Sequence, residues 1–238
     1  MGECTALVVA GAVDLQTVAY LVKERGSFMH DEEVACPGGM VAIIGMDADR
    51  VQEICQEASA RASQDISTPT HPGQGKVVLA NFNAPGQLVI SGEQRALELA
   101  SGLAKERGAK RIIPLAVSGA FHSPVMNPAT DKLAASIARV QINDATIPVI
   151  SNVKAVPMTS ASDLRSELAM QIAQSVQWTR TIEYLVEQGI TTFFEIGPGK
   201  ALESMIKRIS RGATIINIGS TADIEKAVAR VQELDLLA

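Results

Sequence analysis

Between CPGG at 36–39 and the valine at 117, the chain reads strand, helix, strand, strand, helix, strand. That order leaves few folds open to it. MVAIIGM (40–46) is a strand, and DADRVQEICQEASARA (47–62) is a helix capped by Asp47. The polar, Pro- and Gly-bearing stretch 63–75 is a loop. KVVLANFN (76–83) and QLVISG (87–92) are strands joined by a turn at APG (84–86). EQRALELASGLAKERG (93–108) is a helix, and AKRIIPLAV (109–117) is the last strand. This β-α-β-β-α-β order is the split-βαβ, ferredoxin-like arrangement. It predicts a self-contained small domain over residues 38–118.

The flanks follow a different rule. GECTALVVAGA (2–12), which holds most of the apolar run 5–13, opens the chain as a short apolar helix. Asp14 caps a second helix, in which Val18, Leu21, Val22, Arg25 and Met29 keep helical spacing. After residue 118 a polar helix covers about 124–138, followed by a strand at IPVISNV (147–153) and helices at 163–176 and 179–189. Strands at 191–197 and 213–219 then alternate with helices at 199–209 and 222–237. Alternating strands and helices imply a parallel sheet with helices on its faces. The expected fold class is therefore α/β. Residues 1–37 and 119–238 form a large domain that the small α+β domain interrupts. The core is aliphatic, because aromatic residues make up only 3% of the chain.

Charge and cysteine usage exclude several roles. A net charge of −5 argues against a general nucleic-acid binder. No apolar run approaches the ~18 residues of a membrane span, so no membrane partner is expected. Cys4, Cys36 and Cys55 make no CxxC and no even disulfide framework, which fits a reduced, cytoplasmic protein. His30, His71 and His122 lie far apart, and no metal-ligand spacing is present.

Individual motifs stay open between two readings. EIGPGKAL (195–202) follows a strand and opens a helix, but Ala201 stands where a Walker A loop needs Ser or Thr. A tight strand-to-helix turn explains it better, and HPGQGK (71–76) fails the same test and reads as a loop. His122, in AFHSPVM (120–126), lies just past a strand at the domain junction, where it is either structural or a general base. Arg25 sits on a semi-apolar helix face and needs an acidic partner, either a protein carboxylate such as Glu3 or a bound carboxylate. Gln171 falls inside the apolar pattern of helix 163–176, where a buried amide must be hydrogen-bonded. Lys105, Arg107, Lys110 and Arg111 cluster, as do Lys207, Arg208 and Arg211, either as solvated helix ends or as a basic patch.

The combination says more than its parts. GECTALVVAGAVDLQTVAYLVKERGSFM, NFNAPGQLVISG, VSGAFHSPVM, QSVQW (174–178) and FFEIGPGKAL occur in this order and cover essentially the whole chain. Together they resemble the malonyl-CoA:acyl-carrier-protein transacylases and, more widely, the acyltransferase domains of fatty-acid and polyketide synthases. The resemblance implies an α/β-hydrolase-like large domain with an inserted ferredoxin-like small domain. It also implies transfer of a malonyl group from malonyl-CoA to the phosphopantetheine thiol of acyl carrier protein. Malonyl-CoA is then a substrate, and no other cofactor is expected.

The same resemblance assigns the site residues. His122 matches the general base, and Arg25 matches the arginine that grips the malonyl carboxylate. Gln171 matches the glutamine whose main chain orients the histidine. Phe121, before His122, matches malonyl-selective members. Met1 matches the position that lends a backbone N–H to the oxyanion hole. Met1-Gly2-Glu3 aligns with the end of a Gly-His-Ser-x-Gly-Glu nucleophile elbow. The nucleophilic serine is thus expected immediately before Met1, and the chain as written is expected to be inactive alone. A carrier-protein-binding remnant and one half of a split acyltransferase are the alternatives to a complete enzyme.

Overall fold

The computed structural model describes residues 2–64 and 66–233. They form two compact units that divide between Thr181 and Ile182.

The first unit opens with α1 (Gly2–Val9) and α2 (Leu15–Ala35). Asp14 caps α2 by accepting a 2.8 Å hydrogen bond from the Thr17 N–H, as its position in the sequence implies. Then come β1 (Gly38–Ile44), α3 (Ala48–Gln64), β2 (Val77–Ala84), β3 (Gln87–Glu93), α4 (Gln94–Glu106) and β4 (Arg111–Pro114). The four strands make an antiparallel sheet in the order β2-β3-β1-β4. This is the ferredoxin-like arrangement expected from the strand and helix order. Strand alternation sends Val41, Ile43, Val77, Leu79, Leu88 and Ile90 to one face, against the apolar side of α3 and α4. The opposite face carries Met40, Ala80 and Val89, with Phe121 packed on them.

A second core lies among α1, α2 and the later helices. Ser123 caps a 3-10 turn, Pro124–Met126, which runs into α5 (Asn127–Ala138). The two-residue strands β5 (Val149–Ile150) and β6 (Pro157–Met158) pair antiparallel, and α6 (Ala161–Met170) follows.

Two expectations fail here. The strand expected at 147–153 shrinks to β5, because the chain turns at Ser151–Lys154. There the Glu167 carboxylate accepts from the Ser151 hydroxyl at 2.7 Å and from the Val153 N–H at 2.9 Å. The helix expected at 163–176 stops at Met170. Beyond it the backbone bonds elsewhere. The Ile172 carbonyl accepts from the His122 N–H, the Val176 N–H donates to the Ala80 carbonyl, and the Gln177 N–H donates to the Asn152 carbonyl. Tertiary partners replace the i→i−4 ladder, and Gln171 caps α6 instead of lying inside it.

Helix α7 (Trp178–Glu187) precedes the strands and helices of the second unit: β7 (Thr192–Ile196), α8 (Ala201–Ile209), β8 (Thr214–Ile218) and α9 (Ala222–Glu233). β7 and β8 pair in parallel, as alternating strands and helices require. The Glu195 carboxylate accepts from the Leu202 and Glu203 N–H groups at 2.8 and 2.9 Å. A side chain therefore occupies the α8 N-terminus that a phosphate would otherwise use, and EIGPGKAL is a tight turn.

Candidate active site

His122 has a left-handed backbone, with φ of 58°. Three hydrogen bonds hold that conformation in place. The His122 N–H donates to the Ile172 carbonyl at 2.9 Å. The Ser123 hydroxyl donates to the Ala120 carbonyl at 2.6 Å and accepts from the Val125 N–H at 3.3 Å. The loop before β2 supports the same turn. A Cβ on Gly73 would lie 2.5 Å from the Val125 Cα, so only glycine permits this approach.

The imidazole Nδ1 lies 2.7 Å from the Gln171 carbonyl oxygen and 3.1 Å from that of Gln174. Carbonyls only accept, so Nδ1 carries the proton and Nε2 holds a free lone pair. Burial pushes the His122 pKa below the usual histidine range. The two carbonyl contacts oppose that shift, and the Arg25 charge adds to it. The result is a neutral imidazole with a basic Nε2 near neutral pH. Among the described residues no serine hydroxyl hydrogen-bonds to that nitrogen. Ser123 is fully buried and turned back on the Ala120 carbonyl.

Arg25 projects from α2 toward the same place. Its Nη2 donates to the Gln171 Oε1 at 3.4 Å, and its Nε is buried without a partner. The sequence left Glu3 open as its counter-charge. Glu3 instead accepts from the Asn152 Nδ2 at 2.6 Å, and no carboxylate among the described residues pairs with Arg25. Burial lowers the Arg25 pKa, partly offset by Cys4 and Glu3 nearby. A half-buried guanidinium without a counter-ion is costly unless an anion completes it.

Gln171 joins the two groups. Its main chain meets His122, its side-chain oxygen meets Arg25, and its Nε2 is buried without a partner. Phe121 packs between the sheet face and the helical core. Met1 lies outside the described residues.

The Glu32 contacts carried no sequence signal. Glu32 on α2 accepts from the Lys132 Nζ at 2.9 Å and from the His71 Nε2 at 3.1 Å, while the His71 Nδ1 accepts from the Gly73 N–H at 3.0 Å. HPGQGK is the loop its sequence implies, tied to α2 through His71. In the basic cluster, Arg107 pairs with Glu57, which also pairs with Arg61. No helix among the described residues is long and apolar enough to cross a membrane. Among those residues no three His, Cys, Asp or Glu side chains group as metal ligands.

The model of the acyl transferase domain matches residues 1–228. The chain belongs to the acyl transferase family. Within it, the chain is 42% identical to malonyl CoA-acyl carrier protein transacylase of Bacillus subtilis, over 98% of this chain and 70% of that one. The Escherichia coli K12 transacylase of the same name is 40% identical over 88% of this chain and 63% of that one. The chain thus spans about two thirds of the length of these curated relatives. The crystal structure of the Clostridium perfringens transacylase superposes with a TM-score of 0.88 at 37% identity, covering 99% of this chain and 70% of that one. A malonyl-transacylase solved in complex with a type II PKS acyl-carrier protein superposes at 0.85 with 36% identity, covering 96% and 70%. These likenesses fix the α/β fold of this acyl transferase as theirs.

Proposed function

We propose that this acyl transferase moves a malonyl group from malonyl-CoA to the phosphopantetheine thiol of an acyl carrier protein. The reading includes an acyl-serine intermediate, no cofactor beyond the thioester itself, and a reducing, cytoplasmic setting. It takes residues 38–118 as the small domain. One observation carries the reading: a guanidinium without a counter-ion and a neutral histidine with a free Nε2 both meet Gln171. Arg25 binds the free carboxylate of the malonyl group, which acetyl-CoA lacks. The His122 Nε2 takes the serine proton as the serine attacks the thioester carbonyl, and returns it to the departing CoA thiolate. The carrier thiol then repeats the cycle in reverse, its proton passing through His122 to the serine. Phe121 shapes the acyl side of the pocket. By resemblance the serine stands immediately before Met1, with the Met1 N–H in the oxyanion hole.

Calorimetry of the 238-residue chain with malonyl-CoA and acetyl-CoA tests the carboxylate site. Arg25→Ala should weaken malonyl-CoA binding by about 30-fold, the equivalent of ~2 kcal/mol for a charge-assisted contact, and leave acetyl-CoA unchanged. Equal binding of malonyl-CoA by both proteins would refute the role of Arg25. Mass spectrometry of holo carrier protein tests the placement of the serine. Residues 1–238 should bind without transferring, and malonylated carrier protein would overturn that placement.

A further inference from the structure

The segment 171–177 presents two carbonyls to His122, so its placement decides which way the imidazole points. Three sets of contacts hold it. At its start, the Gln171 N–H donates to the Glu167 carbonyl at 2.9 Å. In its middle, Val176 bridges the edge of β2, and the Ser175 hydroxyl donates to the Leu79 carbonyl at 2.6 Å. At its end, the Gln177 N–H donates to the Asn152 carbonyl at 2.7 Å.

Asn152 sits in the turn at 151–154, and the Glu167 side chain holds the residues on both sides of it. Its Oε2 accepts from the Ser151 hydroxyl and its Oε1 from the Val153 N–H. Ser151 in turn accepts from the Lys154 N–H at 2.8 Å. The bonds close a ring. It runs from the Glu167 carboxylate to the turn, along Asn152 to Gln177, back through the segment to Gln171, and home to the Glu167 carbonyl. Both anchors of the histidine-facing segment therefore refer to one residue. Glu167 is 2% exposed, and the His122 ring bonds to the Gln171 and Gln174 carbonyls rather than to it. A buried carboxylate with both oxygens occupied is costly to remove and geometrically strict.

We infer that Glu167 is a positioning residue, which sets the orientation and tautomer of His122 through the 151–154 turn and the 171–177 segment. Its catalytic meaning rests on the proposed role of His122 as base. Its structural claim does not, so the test uses no substrate.

Long-range proton–nitrogen NMR of the 15N-labelled chain reads the tautomer directly, and only three histidines contribute signals. The native protein should show His122 as a single Nδ1–H tautomer. Glu167→Ala should lose that pattern, giving averaged ring-nitrogen signals. Glu167→Gln keeps an acceptor for the Val153 N–H and a donor for the Ser151 hydroxyl, and should retain it. Should Glu167→Ala not fold, Ser151→Ala cuts the same grip from the turn and should also average the ring. A folded Glu167→Ala or Ser151→Ala with an unchanged His122 pattern would overturn the inference. So would a Glu167→Gln protein as disrupted as Glu167→Ala. Failure of Arg25→Ala to weaken malonyl-CoA would leave this result standing, so the two readings fail separately.

Discussion

Glu3 should make this protein less stable as pH rises through the neutral range. The residue is 8% exposed, with one oxygen bonded to Asn152 and the other buried without a partner. Burial is the main cause that pushes its pKa from 4.5 to about 7, and the nearby charge of Glu167 adds to it. The folded state therefore holds a proton that the unfolded state has already released. Between pH 4.5 and about 7 the native protein binds more protons than the unfolded chain, so stability falls as pH rises. At ~1.4 kcal/mol per pH unit, the loss is about 3 kcal/mol, complete above the folded pKa. Glu3→Gln keeps an acceptor for Asn152 and removes the ionisation. Urea unfolding from pH 4.5 to 8, followed by the fluorescence of Trp178, reports on this unit, since Trp178 is the only tryptophan. The variant should match the native protein near pH 4.5 and exceed it by about 3 kcal/mol at pH 8. Parallel curves across that range would refute the assignment of a buried, protonated Glu3.

Three further outcomes follow from the same structure. Gly73→Ala should cost about 1–3 kcal/mol in urea unfolding, because its methyl meets the Val125 backbone. At position 122, glycine should be more stable than alanine by about 1 kcal/mol in paired melts, the reverse of the usual order, because the backbone there is left-handed. Burial alone would raise Glu32, but the hydrogen bonds from Lys132 and His71 outweigh it and hold its pKa below the ordinary carboxylate value. Its contribution is therefore present above that value and lost as pH falls. Glu32→Gln should cost about 1–3 kcal/mol at pH 7, a difference that closes on acidification when followed by urea unfolding.

Local rules were legible wherever they decided the structure. Asp14 caps α2 and EIGPGKAL forms a turn because each depends on neighbours a few residues away, while the βαββαβ order settles its sheet through strand periodicity and connection rules, even though β1 pairs with the distant β3 and β4. The sequence failed at 147–153 and 163–176, where distant partners take the backbone bonds. A helical pattern through Gln171 could not reveal that Ala80, His122 and Asn152 compete for the segment's groups. Arg25, His122 and Gln171 were legible by resemblance, and the structure brings them together. Glu167 was not. It reads as an ordinary helical glutamate until the turn at 151–154 folds onto it, and nothing local marks it. His71 read only as part of a loop, since its partner Glu32 lies on the distant α2.

The bridge between Asn81 and Val176 bears on how such enzymes could be recombined. Strand β2 lends its outer edge to a stretch of chain nearly a hundred residues downstream, through Ala80, Phe82 and the Leu79 carbonyl. Residues 38–118 are therefore not a cassette that can be lifted out and replaced freely. A chimera that imports another member's insert also imports a new border for the peptide facing His122. Such hybrids should keep the His122 ring contacts only when the graft and the host's 171–177 stretch come from the same parent.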